Sequence, residues 1–167
     1  MGAKLTQNDV RKIEEEIEHR KVVLRPELIE EVKETRAQGD LSENFEYHEA
    51  KRAKNRNESR IRYLERILKN ATIISDESKD DEVGIDNTIV LYFEDDDEEE
   101  TIKLVTEMRG DTLNDKITID SPIGRAILGH KVGDRVEVKV DDRLSYYVVV
   151  REIINTKDDE SDTIRRY

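Results

Sequence analysis

The chain has 167 residues, with 41 Asp/Glu against 29 Lys/Arg and a formal charge of −12. Charged residues make up 42% and the hydrophobic set only 35%, too polar for one large compact core and suited to an extended helical element beside a small globular unit. With no cysteine, disulfides and thiolate metal sites are excluded, which agrees with a reducing cytoplasm; no signal peptide or membrane-spanning run is expected.

The first predicted element runs from about Asn8 to Gln38. Val10, Ile13, Ile17, Leu24, Leu28 and Val32 recur at spacings of three, four or seven, the stripe of an amphipathic helix. Asn8 or Asp9 is placed to cap its start. Pro26 lacks an N–H and crowds the preceding turn, so a kink or short break is expected near Leu24-Arg25. Glycine accepts backbone angles other residues avoid, so Gly39 is the expected point of reversal. A second helix is expected from about Leu41 to Ala71, with Ala50, Ala53, Asn57, Ile61, Leu64, Leu68 and Ala71 as its stripe. Two such stripes joined by a tight turn make an antiparallel two-helix coiled-coil hairpin. Its length is roughly 45 Å at 1.5 Å per residue. The end near Val10, Ile13, Leu64 and Leu68 should be its firmest part.

After Ile74 the pattern changes, placing a boundary between a hairpin domain, 1–74, and a second domain, 75–167. Ser75 to Asp86 is polar and acidic and reads as a linker. Asn87–Phe93, Thr101–Thr106, Lys116–Asp120, Arg135–Val140 and Ser145–Ile154 read as short strands. One short helix, Ile123 to Leu128, interrupts them, with Ser121 as cap, Pro122 in its first turn and Gly129 at its end. The fold class is therefore α+β, with a small, mostly antiparallel sheet after the hairpin. The tail from Asn155 to Tyr167 is polar and expected to be mobile.

Charge is unevenly divided: 16 Lys/Arg and 15 Asp/Glu up to residue 74, then 13 and 26 beyond it. A near-neutral half joined to an acidic half suggests units with different partners. Tight binding of free duplex DNA is disfavoured, because the phosphates would repel the chain.

Asp40 and Glu43 have the spacing of a capping box for the second helix, and Ser42 offers another cap with Glu46 in the first turn. Alternatively, both acids project from the hairpin tip as hard oxygen ligands for Mg²⁺. Magnesium takes one or two carboxylates and fills its other positions with water and phosphate oxygens, so two tip acids would complete a site supplied by a partner. Residues 51–70 carry Lys51, Arg52, Lys54, Arg56, Arg60, Arg62, Arg66 and Lys69 against Glu58 and Glu65. Arg52, Arg56 and Arg60, spaced by four, are expected along one side of the helix. That row either pairs with glutamates of the first helix or steers toward phosphates. The run Glu94 to Glu100 reads as a solvated hairpin loop; it lacks the ligand spacing of a calcium loop. His19, His48 and His130 have no metal-ligand spacing, and no phosphate loop or nucleophile motif is present.

Gly39-Asp40-Leu41-Ser42-Glu43-Asn44 with Glu46-Tyr47 resembles the tip motif of the bacterial Gre transcript-cleavage factors. Ser121-Pro122-Ile123-Gly124-Arg125-Ala126, then Gly129-His130-Lys131-Val132-Gly133-Asp134, resembles the signature of their C-terminal domain, and Arg25-Pro26-Glu27 matches a further segment. The likeness extends to about Ile154 and is closest to the GreA type. It implies a coiled-coil hairpin followed by an FKBP-like domain that docks on RNA polymerase at its secondary channel. The hairpin then reaches toward the active centre and the nascent RNA 3′ end. By the same resemblance, Asp40 and Glu43 are the catalytic acids, holding a Mg²⁺ shared with the polymerase and active only in the complex. Ser42 and Asn44 support the tip, Arg52 and Arg56 are RNA-contact candidates, and Ser121, Pro122 and Ile123 dock on the polymerase. The expected factor is a cytoplasmic monomer with no cofactor bound alone. It activates the polymerase's own hydrolysis and is not itself a nuclease. Phe45 stands where the commonest form has alanine, and the acidic run and the tail after Ile154 depart from the usual pattern. An alternative is a regulator that occupies the channel and inhibits without cleavage, which retention of both acids disfavours. Two others are a prolyl isomerase, for which the second domain offers only Phe93 as a pocket phenylalanine, and a plain interaction module.

Overall fold

The computed structural model describes residues 2–39 and 44–166. The chain divides into two compact units. One comprises Val10–Ala71 with the first two residues, the other Ala3–Asp9 with Thr72–Tyr167. The boundary is thus not a single point near residue 74, since residues 3–9 belong with the second unit. There β1 (Lys4–Leu5) pairs in parallel with β2 (Thr72–Ile73).

In the hairpin, α1 (Gln7–His19) begins at a reciprocal cap. The Thr6 N–H donates to Asp9 Oδ2 at 3.0 Å, and the Asp9 N–H donates to Thr6 Oγ1 at 3.2 Å. The cap is therefore Thr6 rather than Asn8 or Asp9, with Asp9 in the returning role of a capping box. No break occurs at Leu24-Arg25. The helix passes through a five-residue π-turn, Arg20–Leu24, and continues as α2 (Arg25–Arg36) with Pro26 in the first turn. A wider turn just ahead of the ring accommodates a residue that cannot donate, so the chain continues without unwinding.

Gly39, which ends the described part of this segment, has a φ of +150°, where glycine is favoured. α3 then runs from Phe45 to Asn70, about 39 Å at the helical rise. Ala50, Asn57, Arg60, Ile61 and Leu64 are its buried residues. Ile13 and Leu64, at the end expected to be firmest, are fully buried.

In the second unit a five-stranded sheet has the order β5-β4-β3-β7-β6. Its strands are β3 (Thr88–Phe93), β4 (Glu98–Val105), β5 (Lys116–Thr118), β6 (Arg135–Lys139) and β7 (Ser145–Ile154). β4 and β5 are parallel and the other pairs antiparallel, so the sheet is mixed. The acidic run is only partly loop, because Glu98, Glu99 and Glu100 pair with β3. Alternation places Ile89 and Leu91, Ile102 and Leu104, Val136 and Val138, and Val148 and Val150 in one core. α4 (Pro122–Ile127) contributes Ile127 to that core. A side chain at Gly124 would come within 2.0 Å of the Thr118 carbonyl oxygen, so glycine is what lets α4 sit this close.

Two polar segments differ from expectation. The stretch read as a linker contributes Val83 and Ile85 to the core and buries Asp86. The tail is not loose. Asp162 is buried and paired with Lys103 and with Lys116 at 3.0 Å, and the Arg165 N–H donates to the Met108 carbonyl at 2.7 Å. Beside it, Arg109 is fully buried against the carboxylates of Asp9, Asp86 and Asp158. Burial pushes the Asp86 carboxyl up, and Arg109 offsets that only in part.

Candidate functional site

Asp40, Ser42 and Glu43 lie outside the described residues. The residues on either side define what frames them. α3 is capped by Asn44, whose Oδ1 accepts the Tyr47 N–H at 3.0 Å. Its Nδ2 donates to the Thr35 carbonyl at 2.5 Å, so one amide closes the start of α3 and ties it to the end of α2. Thr35 in turn donates its hydroxyl to the Glu31 carbonyl at 2.8 Å. The expectation that Asp40 or Ser42 caps the second helix is therefore corrected, because Asn44 does so. Phe45, the first residue of α3, is 71% exposed.

The basic row does not form one exposed side. Arg60 is buried and bonds Glu16 through Nε at 2.9 Å and Nη2 at 3.3 Å. Arg20 joins the same carboxylate at 2.7 Å. Burial pushes the Glu16 carboxyl up, but bonds from Arg60 and Arg20 outweigh it and hold it below the usual range. Arg25 grips Glu58 with two bonds, of 2.9 and 2.8 Å, and Lys21 pairs with Glu65 at 3.3 Å. Thus Arg60 of the basic run serves the hairpin itself, while Arg25 and Lys21 of the first helical segment pair with the run's two glutamates. Of the two RNA-contact candidates, Arg52 pairs with Glu49 on its own helix. Arg56 is exposed.

At the second motif Ser121 caps α4, accepting the Gly124 N–H at 3.1 Å and donating to the Thr118 carbonyl at 2.7 Å. Pro122 is exposed, whereas Ile123 is half-buried against the core. Leu128 and Val132, not among the docking residues expected from sequence, are 42% and 55% exposed. Phe93 is half-buried against the core, with its ring stacked 6.1 Å from that of Tyr146. Among the described residues no three His, Cys, Asp or Glu side chains group to hold a metal. No helix among them is long and apolar enough to cross a membrane.

Residues 3–73 match the family described as transcription elongation factor, N-terminal. Residues 77–155 match transcription elongation factor, GreA/GreB, C-term. Transcription elongation factor GreA of Thermoanaerobacter pseudethanolicus is 47% identical over 137 residues, 81% of this chain and 87% of that protein. GreA of Thermotoga maritima is 40% identical over 147 residues, 88% and 94% of the two chains. Among solved structures, GreA factor homolog 1 (Gfh1) of Thermus thermophilus is similar at a TM-score of 0.43 and 26% identity, covering 92% of this chain and 99% of that one. The chain belongs to the GreA/GreB family of transcription elongation factors.

Proposed function

We propose that this factor binds RNA polymerase at its secondary channel, as a cytoplasmic monomer, and stimulates the polymerase to cleave the RNA 3′ end of backtracked, arrested complexes. The observation that carries the reading is the Asn44 cap. It closes the start of α3 and ties it to the end of α2, on either side of the segment that carries Asp40 and Glu43 in the sequence. Asp40 and Glu43 fit Mg²⁺ as hard oxygen donors, and two carboxylates are an incomplete set, which suits an ion shared with the polymerase. The chemistry such an ion supplies is acidification of a bound water and neutralisation of charge on a phosphate. This chain's part is to present the two acids at the end of a stiff arm. The hydrolysis belongs to the polymerase. Arg56 is the better-placed RNA contact, since Arg52 is engaged by Glu49. Docking falls to the exposed Pro122, with Ser121 holding the turn and Ile123 anchoring it to the core.

The test is RNA release from a halted elongation complex with wild-type protein, Asp40→Ala, Glu43→Ala and the double variant. Wild type should accelerate release, and each substitution should reduce it by at least tenfold while polymerase binding changes little. Full activity in the double variant would remove the acids from the mechanism. Slowed elongation without any released fragment would instead support a channel-occupying inhibitor.

A further inference from the structure

Halfway along the hairpin, Asn57 of α3 is 3% exposed, buried with Arg60 among Ala50, Ile61 and Leu64. Both ends of its amide are used, and both meet Arg20. The Arg20 guanidinium donates through Nη1 to Asn57 Oδ1 at 2.9 Å, and Asn57 Nδ2 donates to the Arg20 carbonyl at 3.1 Å. Arg20 opens the π-turn, and its carbonyl also accepts the N–H of Arg25, five residues on. The bond from Asn57 therefore lands on the π-turn, the widened stretch of the arm among the described residues.

We infer that the Asn57–Arg20 clip is the register pin of the arm: a positioning device that sets which turn of α3 faces which turn of the first helix, and so where the acids between Gly39 and Asn44 are presented. A buried asparagine in a helical seam specifies alignment because its polar atoms are satisfied in only one register. The neighbouring stripe residues, Ala53 one turn away on one side and Ile61 on the other, would tolerate a slip. Asn57 would not, because moving it one turn along the first helix brings it to Glu16-Ile17 or to Leu24 and breaks both bonds at once. Glu16 adds to the same lock through Arg20 and Arg60.

The consequence for cleavage rests on the transcript-cleavage reading; the register itself does not. The chain has no cysteine, so nitroxides can be attached to the full-length protein at Lys33→Cys and Lys51→Cys, both exposed. Native Asn57 should give a single narrow distance. Asn57→Leu, which keeps the arm helical, should add a second distance population from arms whose helices are offset by one turn, about 5 Å along the axis. In the halted-complex assay it should lower maximal RNA release at least tenfold, with the concentration for half effect changed less than twofold. Asn57→Gln retains both polar groups and should restore the single distance. An unchanged distance in Asn57→Leu overturns the pin, as does an Asn57→Gln protein as scattered as Asn57→Leu. If wild type releases no RNA while Asn57→Leu still splits the distances, the cleavage reading falls and the pin stands.

Discussion

In the hairpin, Asn57 and Arg60 take buried places among Ala50, Ile61 and Leu64, and most pairs that cross it end in partly exposed carboxylates such as Glu16, Glu58 and Glu65. The second unit has a continuous apolar core instead, and sets its buried charges apart around Arg109 and Asp162. The difference follows from shape. Two helices bury only a narrow seam, so polar contacts must define their alignment. A sheet with a helix on it buries whole side chains and needs no such help. An arm of this kind gains definition at a cost in apolar burial. The second unit can hold a rigid core behind the surface that carries Pro122.

The largest effect that would test this contrast is the loss of Arg109. It faces Asp9, Asp86 and Asp158, all with side chains 5% exposed or less. Arg109→Met keeps much of the volume but leaves buried carboxylates uncompensated, which should cost about 3–5 kcal/mol. Urea denaturation followed by hydrogen exchange of peptides from β3 and β7 would measure it. Arg60→Met in the hairpin should cost less, because its partner Glu16 is 25% exposed and keeps Arg20. Equal costs would remove the distinction between the two units.

Next in size is the acid sensitivity conferred by the tail. Burial alone would push the Asp162 carboxyl up, but Lys103, Lys116 and the Asp159 N–H hold it at about 2, against an ordinary 3.8. Because its folded value is depressed, its contribution is present above its ordinary value and is lost as pH falls toward 2. Asp86 has the opposite sign: its value is raised, so its contribution is present at low pH and lost as pH rises through the folded value. Asp162→Asn should therefore lower stability at neutral pH and flatten the acid limb of the second unit's stability curve. An unchanged limb would mean that the tail is not a fixed part of this unit.

Much of this arrangement could be read from the chain, and the parts that could not share a cause. Local periodicity located α1 to α3, and alternation located β3 to β7, since each signal lies within a few residues. Ser121, Pro122 and Gly129 marked the bounds of α4 for the same reason. The tail was misread because its composition is polar, while the lysines that bind Asp162 lie 59 and 46 residues earlier in the chain, at Lys103 and Lys116. Asp9 had a plausible local task as a cap, and nothing nearby revealed Arg109. At the candidate site the two acids were visible as a motif, whereas Asn44's second bond, to Thr35, exists only once the hairpin has closed. Pro26 announced an interruption, but not that a π-turn would absorb it or that Asn57 would meet that turn.

The smallest effect concerns the surface of the arm, where salt should separate the two units. Arg25 and Glu58 make two short bonds, yet their side chains remain 35% and 28% exposed. The Arg25 bond is the main cause holding Glu58 below its usual range, so the pair is coupled at low salt. Raising ionic strength from about 0.1 M to about 1 M shortens the screening length from roughly 10 Å to roughly 3 Å. A double-mutant cycle with Arg25→Ala and Glu58→Ala should then lose its coupling, because both groups are open to counterions. The Lys116–Asp162 pair, with side chains 13% and 0% exposed, should keep most of its coupling in the same salt. Were both couplings to fade together, the charges of the second unit would be as solvated as those of the arm, and the contrast would reduce to apolar burial alone.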